Sequence, residues 1–310
     1  MRGAVVQASV LIVEYASRAF LRECLEALER SHFPRDEFEV IVVDNASPTP
    51  VAELVSEFPF VRFITSRRNL GFAGGNLLAL EHARGRHIAL LNPDAVAAPD
   101  WLVNVLRPLE DPDVGIVGSK LLHPGTDVLQ HAGGVLLPNA LSAHLGRGEL
   151  DRGQWDGPVE VDYVCGAAWA IRREVIERVG FLSPVYFPAY YEETELCRRA
   201  KRAGYRVVMA ADAVVEHHEG VSSESSRAKA YLERFHTGRV RYVVRNYSAR
   251  ELLTRFVPAE LSWLAKDCPP AERLTCMRAY LSGVRSAWDS SRGTPADSDV
   301  VSDSWKEGIP

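Results

Sequence analysis

The stretch FEVIVVDN (38–45) is an apolar run that ends in an acidic and an amide side chain, and it decides the fold. Runs of the same kind lie on either side of it: SVLIVEY (9–15), VRFITS (61–66) and HIALLNPDA (87–95). The segments between these runs have the apolar spacing of helices: RAFLRECLEALERS (18–31), PVAELVSEF (50–58) and FAGGNLLALEHA (72–83). Buried strands that alternate with amphipathic helices are typical of a parallel sheet with helices on both faces. The sequence therefore predicts an α/β fold with a mostly parallel central sheet and flanking helices.

The pattern changes after Asp113, where strand-like segments follow one another with turns between them. We expect this second half to be mixed and partly antiparallel, and to lie against the same sheet. The predicted organisation is one α/β domain over 1–224, with halves at about 1–113 and 114–224. A basic helical region follows over 225–288. The tail over 289–310 is rich in Ser, Asp, Gly and Pro, which is typical of disorder.

The composition excludes several classes of protein. A formal net charge of -5 in 310 residues gives no support for a nucleic-acid partner. Five cysteines form no C-x-x-C pair, and their odd number argues against a disulfide framework, so a reducing cytosol fits best. We see no signal peptide and no run approaching the ~20 apolar residues of a membrane span. We expect a cytoplasmic protein, with contact to the inner face of a membrane as an alternative.

Polar side chains stand where four of the predicted strands end. In open α/β sheets, ligands bind beyond the carboxyl ends of the strands. Any one of these residues alone is more often a turn former or a helix cap. All of them together would line one edge of the sheet and favour a binding site there. They are Asp44 with Asn45, Asn69 with Gly71, Asn92 with Asp94, and His217 with His218.

The segment GFAGGN (71–76) fits neither the dinucleotide fingerprint G-x-G-x-x-G nor the P-loop. Its glycines, Gly71 and Gly75 among them, nevertheless allow a ligand to approach the backbone closely. The predicted helix that begins here offers free N–H groups to an anion. We therefore expect part of a phosphate-binding or nucleotide-binding surface at this position.

Asp94 and His217 are the candidate metal ligands. One carboxylate and one imidazole suit a divalent cation such as Mn²⁺ or Mg²⁺ that bridges two phosphates. Two protein ligands are few for a permanent site, but they suffice for an ion that arrives with a diphosphate. A single histidine at a strand end is more often structural, so this hypothesis needs support from the rest of the chain.

The segment YYEETEL (190–196) places three carboxylates directly after two aromatic residues. Acidic residues in the first turn of a helix complement its macrodipole, and basic residues follow toward the predicted end at Gly204. Ordinary helix-start chemistry therefore explains the pattern. A general base at this position is the alternative, and the segment alone does not separate the two.

The order of the motifs resembles family 2 of the inverting nucleotide-sugar glycosyltransferases, which have the GT-A fold, and most of all the rhamnosyltransferase-like bacterial branch. The resemblance spans roughly residues 9–222, and in this order and spacing the motifs are highly specific. The motifs are VVDNAS (42–47), NLGFAGGN (69–76), LLNPDA (90–95), CGAAWAIRREVIERVGF (165–181), YYEETELCRRAKRAGY (190–205) and HHEGVS (217–222).

The resemblance assigns roles to individual residues. Asp44 would hydrogen-bond the uracil or thymine base and the ribose. Asp94, the last acidic position of a D-x-D motif whose first Asp is Asn92 here, would bind the metal with His217. Glu193, where the family has Asp, would be the catalytic base, with Glu192 beside it. The other residues expected at the nucleotide are Asn45, Asn69, Gly71, Gly75, Asn76 and Asn92; those expected to contact the sugar or acceptor are Trp169, Tyr190 and Tyr191.

The implied reaction is a single displacement that inverts the anomeric carbon of a UDP- or dTDP-linked sugar. The implied cofactor is Mn²⁺ or Mg²⁺. The acceptor would be a growing polysaccharide, a lipid-linked glycan or a small molecule, as in cell-wall or polysaccharide biosynthesis, and a homo-oligomer is compatible with this role. Two alternatives remain: a nucleotidyltransferase, which would carry a glycine-rich basic loop near its N-terminus, and a non-catalytic nucleotide-sugar-binding subunit.

The basic helical segment RAKAYLERFHTGRVRYVVRNY (227–247) raises a separate question. Arg234, Arg241 and Arg245 lie near one face of a continuous helix, and a broader apolar face lies beside them. A basic and apolar helix suits the headgroup region of an anionic membrane. Alternatively, the apolar face packs on the catalytic domain and the arginines are solvated.

Overall fold

The computed structural model describes residues 6–49, 51–157, 159–218 and 225–290. Nothing is inferred about the side chains at 52, 225–229, 271 and 286–290. The end of the HHEGVS motif, from Glu219, and all but the first two residues of the predicted tail lie outside the described residues.

The predicted strands form one large sheet. Ten strands belong to it within the described residues, in the order β10-β12-β6-β11-β4-β1-β2-β3, with β5 beside β12 and β7 beside β6. A separate hairpin joins β8 and β9. The strands are β1 (Ala8–Glu14), β2 (Phe38–Asp44), β3 (Val61–Thr65), β4 (His87–Leu91), β5 (Ala95–Ala97), β6 (Val114–Leu122), β7 (Leu129–His131), β8 (Gly134–Leu136), β9 (Ser142–His144), β10 (Val159–Glu160), β11 (Ala168–Arg172) and β12 (Arg206–His217).

Helices cover the sheet and continue beyond it as a helical C-terminal region. Short 3₁₀ segments span Arg107–Glu110 and Pro184–Tyr186, and a π-helical turn spans Leu252–Phe256. The α-helices are α1 (Arg18–Glu29), α2 (Ala52–Glu57), α3 (Gly71–Glu81), α4 (Trp101–Leu106), α5 (Arg173–Val179), α6 (Glu192–Arg202), α7 (Ser225–Asn246), α8 (Ala249–Glu251), α9 (Val257–Lys266) and α10 (Pro270–Ser290).

Strand direction brings the polar strand ends together. Strands β1 to β4 pair in parallel, and β12 pairs in parallel with β6. Strand β11 runs against both β4 and β6, so these two strands point the same way. The carboxyl ends of six strands therefore meet at one edge, where β11 begins. The predicted α/β fold with a mostly parallel central sheet is confirmed. The second half is mixed and partly antiparallel, as expected, and the first half adds one short antiparallel strand, β5.

The apolar alternation along the strands fills two cores, one on each face of the sheet. One core contains Ile12, Leu25, Val42 and Trp101, and the other contains Leu11, Ile41 and Trp169. Successive residues of β1 and β2 thus point to opposite faces, and both faces are covered. This explains why the strands read as continuous apolar runs rather than as alternating ones.

Helix α3 packs very closely on β1 at Gly75. A Cβ on Gly75 would lie 2.6 Å and 2.9 Å from the two γ-methyl carbons of Val13. We expect Gly75→Ala to lower the free energy of unfolding by about 1–2 kcal/mol, because overpacking against a stiff side chain exceeds the helix propensity that alanine gains. Urea unfolding measures this. Gly157→Ala is the control, since no atom lies within 4 Å of a Cβ there; a Gly75→Ala protein as stable as this control would contradict the prediction.

A buried ion pair joins two of the C-terminal helices, and Asn139 links it to the α/β domain. Arg239 in α7 is 0% exposed and binds Glu260 in α9 through two hydrogen bonds of 2.6 Å and 2.7 Å. The Arg239 guanidinium also donates to the Asn139 carbonyl oxygen at 3.1 Å, and the Asn139 amide donates to Glu260 at 2.9 Å. Two helices and a turn of the second half are thus joined at one point.

Two of the three arginines in the membrane hypothesis contact the α/β domain, whereas Arg234 is exposed. Arg245 donates to Glu195 at 3.2 Å, and Arg241 donates to the carbonyl oxygen of Phe187 at 3.0 Å. On the apolar face, Val240 and Val243 are buried. These contacts favour the alternative in which α7 packs on the domain. No helix in the described part of the chain is both long enough and apolar enough to span a membrane.

Candidate active site

Asp94 and His217 lie side by side at the strand-end edge. The pairing of β5 with β12 sets His217 opposite Ala95, and the backbone N–H of His218 donates to the Asp94 carbonyl oxygen at 3.0 Å. Nε2 of His217 then lies 3.4 Å from Oδ1 of Asp94. Two ligands of one cation are about this far apart, because each lies roughly 2.0–2.2 Å from the metal. The two side chains are therefore spaced to share one ion.

Gln130 in β7 holds the other side of the His217 ring. Its Oε1 lies 3.1 Å from His217 Nδ1, and its Nε2 donates to the His217 carbonyl oxygen. Gln130 is 3% exposed, so both contacts are shielded from water. A ligand histidine commonly has such a partner on its second nitrogen, which fixes the ring.

Asp44 stands beside a second buried carboxylate. The β1–β2 register sets Glu14 opposite Asp44, and both are almost fully buried. Asp44 accepts a hydrogen bond from the Ser47 backbone N–H at 2.9 Å, and Glu14 accepts one from the Ser17 N–H at 2.7 Å. Burial raises the pKa of Glu14 above its usual range, although the hydrogen bonds from Ser17 oppose that rise. Two adjacent strands thus end in shielded carboxylates.

Asn45 and Asn69 hold the loop before α3. The Asn45 carbonyl oxygen Oδ1 accepts from the Leu70 N–H at 2.8 Å, while its amide nitrogen donates to Asn69 Oδ1 and to the Gly71 carbonyl oxygen, both at 3.2 Å. Asn69 Oδ1 also accepts from the Gly71 N–H at 2.8 Å. Both amides are therefore engaged in shaping the loop. A role in nucleotide binding stays a prediction for them, and their observed contacts are structural.

The start of α3 is less open to an anion than the sequence suggested. The Gly71 N–H is bound by Asn69, and the Phe72 N–H donates to the Pro188 carbonyl oxygen at 2.9 Å. Gly71 has a φ of 72°, and a Cβ there would lie 2.8 Å from both the Phe187 ring and the Pro188 oxygen. The expectation of free N–H groups is wrong for these two residues, because Asn69 and Pro188 already accept their hydrogen bonds.

Asn76 and Asn92 are the remaining amides expected at the nucleotide. Asn76 is 1% exposed, and its amide nitrogen donates to the Phe72 carbonyl oxygen at 3.0 Å. The backbone of Asn92 lies at the edge, where its N–H donates to the Ala167 carbonyl oxygen at 2.8 Å and its own carbonyl accepts from Ala95 at 3.1 Å. Asn92 thus begins the turn that presents Asp94 directly after β4, whereas Asn76 is buried within α3.

Glu192 and Glu193 form the first turn of α6 at the same edge. Glu192 is 1% exposed, and burial, with repulsion from Glu193, raises its pKa well above the usual range. Glu193 is half-buried, and burial raises its pKa to about 7. A methyl group on Gly166, just before β11, would lie 3.7 Å from the Glu193 carboxylate. The Glu193 carboxylate therefore borders the strand-end edge with a pKa suited to exchanging protons near neutrality.

The backbone before α6 is strained. Tyr190 and Tyr191 both have positive φ, of 88° and 77°, which is unusual for bulky residues. Such strain persists only where the surroundings hold it, and it clusters at functional sites. Here the Tyr191 hydroxyl donates to the Ala140 carbonyl oxygen at 2.6 Å, and its ring lies 5.6 Å from the Tyr242 ring. The strained pair places the two glutamates at the start of α6.

Two of the three aromatics expected at the sugar are covered by protein. Trp169 is 0% exposed in β11 and belongs to the core, since strand alternation turns it into the sheet. Tyr191 is 3% exposed, and Tyr190 packs its ring against Tyr231 of α7 at 5.3 Å. A ring that is covered by protein has no face to stack on a sugar, so the expectation is wrong for Trp169 and Tyr191 and receives no support at Tyr190.

Two residues of the site were missed from the sequence. Glu14 ends an apolar strand just as Asp44 does, so the strand-end rule applied to SVLIVEY would have found it. Gln130 lies in the segment VLQHAGG, which has no polar strand end and no motif spacing. Only the antiparallel pairing of β7 with β6 brings Gln130 to His217.

Comparison with known proteins agrees with this architecture. A model of the family described as glycosyl transferase family 2 matches residues 9–180. The O-antigen biosynthesis protein RfbC of Myxococcus xanthus is 30% identical over 243 residues, 72% of this chain and 18% of that protein. Protein y4gI of Sinorhizobium fredii is 32% identical over 199 residues, 60% of this chain and 22% of its own length. The chain thus spans about a fifth of the length of these relatives.

Solved structures share the fold. The mannosyltransferase PcManGT from Pyrobaculum calidifontis, in complex with GDP-Man and Mn²⁺, superposes with a TM-score of 0.60 at 18% identity, over 93% of this chain and 76% of its own. This likeness identifies the GT-A fold and confirms the fold expected from the motifs. Because the family model also covers more than half of the residues, the chain belongs to glycosyltransferase family 2.

Proposed function

We propose that the protein transfers a sugar from a nucleoside-diphosphate-sugar, UDP- or dTDP-linked, to an acceptor hydroxyl with inversion at the anomeric carbon. The observation that carries this proposal is the Glu193 carboxylate, which borders the strand-end edge beside Gly166 with a pKa raised to about 7. At that same edge His217 ends β12, and Asp94 directly precedes β5, which pairs with β12. One edge thus offers a base for the acceptor and ligands for the cation that accompanies the donor's diphosphate.

The residues present fit a divalent cation. Oε1 of Gln130 faces Nδ1 of His217, so a neutral ring carries its hydrogen on Nδ1. Nε2 of His217 and Oδ1 of Asp94, 3.4 Å apart, are then both acceptors, and a cation between them would relieve their repulsion. Among the described residues, no group of three or more His, Cys, Asp or Glu is placed to hold a metal alone. This supports an ion whose other ligands come from the nucleotide. When bound, such an ion neutralises charge that develops on the departing diphosphate.

The chain's own groups supply the remaining steps. Asp44, shielded and fixed by Ser47, binds hydroxyl or N–H groups of the nucleoside. Glu193 accepts the proton of the acceptor hydroxyl as the new C–O bond forms and the bond to the diphosphate breaks. Glu192 is buried beside it, and burial, with repulsion from Glu193, raises the pKa of Glu192 well above its usual range, so Glu193 is the one of the two that ionises near neutrality. The acceptor is a glycan, a lipid-linked glycan or a small molecule.

A donor panel tests the function. UDP-, dTDP- and GDP-linked sugars are incubated with Mn²⁺ and acceptor preparations of each class, and released nucleoside diphosphate and the anomeric configuration of the product are measured. We expect release from one donor class, dependent on acceptor, and a product of inverted configuration. A retained configuration would contradict the mechanism. Binding of a nucleotide-sugar with no turnover on any acceptor would favour the non-catalytic subunit.

Removal of the metal should stop transfer. We expect EDTA to suppress release of the diphosphate and added Mn²⁺ or Mg²⁺ to restore it, because Asp94 and His217 are the cation's protein ligands. Asp94→Asn and His217→Ala should each raise the Mn²⁺ concentration needed for half-maximal rate. The matched control is Asp100→Asn, an exposed aspartate six positions after Asp94. Full activity in chelator would contradict this part of the proposal.

A further inference from the structure

Gln130 is the one buried amide that contacts the candidate metal ligand His217 in the described structure. It lies in β7 and is 3% exposed. Its side chain reaches three groups: the His217 carbonyl oxygen, His217 Nδ1 at 3.1 Å, and His123 Nδ1 at 3.2 Å. The amide therefore binds both the backbone and the ring of the same histidine.

These contacts determine which way the amide faces. A backbone carbonyl oxygen only accepts hydrogen bonds, so the group that faces it must be the NH₂ of Gln130. Oε1 of Gln130 then faces Nδ1 of His217. Since an amide oxygen also only accepts, Nδ1 must carry the hydrogen. The second NH₂ hydrogen is directed to His123, which further fixes the amide.

The orientation of the Gln130 amide also determines whether Nε2 of His217 carries a hydrogen. With the hydrogen on Nδ1, neutral His217 has a lone pair on Nε2, which lies 3.4 Å from Asp94 Oδ1. In the opposite tautomer, Nε2–H would donate directly to Asp94, and that hydrogen bond would occupy both candidate ligands at once. The choice of tautomer therefore decides whether the pair binds a cation or binds itself.

We propose that Gln130 is a positioning residue that holds His217 in the Nδ1–H tautomer and thereby keeps Nε2 and Asp94 available to a divalent cation. This role rests on the proposed function, which supplies the cation. Removing a hydrogen-bond partner of a ligand histidine typically lowers metal affinity by about 10- to 100-fold.

The first measurement needs neither metal nor variant. Nitrogen-15 NMR of histidine-labelled protein distinguishes Nδ1–H from Nε2–H in neutral imidazoles, and His217→Gln identifies the His217 signals. At a pH well above the usual histidine pKa of about 6.5, we expect Nδ1–H for His217. Nε2–H in the wild-type protein would overturn the proposal, whatever the protein catalyses.

The second measurement compares two glutamine variants. Gln130→Met keeps the length of the side chain but removes its hydrogen bonds to His217 and His123. Gln154→Met makes the same change at an exposed glutamine. Mn²⁺ is titrated alone and with UDP, dTDP or GDP, and free Mn²⁺ is followed by electron paramagnetic resonance. We expect about a 10- to 100-fold weaker affinity for Gln130→Met only, with His217 signals shifted toward Nε2–H. Unchanged affinity in a folded Gln130→Met protein would overturn the proposal.

A third variant separates positioning from packing. Gln130→Glu still accepts from Nδ1–H, so we expect it to retain the Nδ1–H tautomer that Gln130→Met loses. The two proposals also fail differently. If wild-type protein transfers sugar with Mn²⁺ while His217 is Nε2–H, only the role of Gln130 is lost. If Mn²⁺ affinity depends on Gln130 but no donor supports transfer, the proposed function is lost and the role of Gln130 stands.

Discussion

We expect Glu193→Gln to lower the rate of sugar transfer by about 10²–10⁴ while donor binding stays close to that of the wild-type protein. Glutamine has nearly the size and hydrogen-bonding shape of glutamate, but it does not accept a proton at neutral pH. The loss therefore falls on the step that deprotonates the acceptor hydroxyl. Turnover and donor affinity, measured separately by diphosphate release and by calorimetry, check this.

Glu192→Gln is the matched control, since it removes the neighbouring carboxylate from the same helix turn. We expect a smaller loss, because Glu192 is buried and acts through Glu193. An inactive Glu192→Gln protein beside a fully active Glu193→Gln protein would assign the base to Glu192 instead.

The pH profile gives a second check on the same base. Glu193 accepts a proton only when it is ionised, and burial raises its pKa to about 7. We therefore expect kcat/KM for the acceptor to rise with pH through about 7 and to fall off below it. A glutamate of ordinary pKa would instead keep full activity down to about pH 5. A flat profile between pH 5 and 8 would contradict the role of Glu193.

We expect Arg239→Met to destabilise the fold by about 3–5 kcal/mol, because it leaves Glu260 buried and without its cation. Glu260 is 5% exposed; burial alone would raise its pKa, but the Arg239 guanidinium outweighs burial and holds that pKa below the usual range. Without Arg239 the pKa of Glu260 rises above its value in the unfolded chain. The loss of stability should therefore shrink as the pH falls and Glu260 takes up a proton. Urea unfolding at pH 7.5 and pH 5 measures both effects.

The double variant Arg239→Met/Glu260→Met controls for packing. When both charges are replaced by apolar side chains of similar length, no buried charge remains unpaired, and such replacements are often nearly neutral. We expect the double variant to be more stable than either single variant. Losses that simply add would show that the helices are held by packing and that the ion pair contributes little.

The sequence predicted the sheet and its edge because both depend on local patterns. Apolar runs identify buried strands, and the parallel direction of those strands places Asp44, Asp94 and His217 at one edge. The order of strands across the sheet is not local, so the position of Gln130 beside His217 could not be foreseen.

The hydrogen-bond partners and the burial of individual side chains could not be predicted from the sequence either. The amides of Asn45 and Asn69 resemble ligand-binding groups in the sequence, yet their hydrogen bonds go to the loop before α3. Trp169 resembles a sugar platform, but its place in the alternation of β11 turns it into the core. The roles of Asp44, Glu193, Asp94 and His217 in catalysis stay predictions that the experiments above test.

The late position of β12 in the sequence determines when the candidate metal site can form during synthesis. A ribosome releases the chain from its N-terminus, and domains generally form as their segments emerge. Asp94 is synthesised well before His217, and β12, which ends at His217, pairs with both β5 and β6. The strands of the nucleotide half are therefore synthesised well before Asp94 and His217 can come together. Under the proposed function, a nascent chain has both cation ligands, and so the means to transfer sugar, only after β12 has joined the sheet.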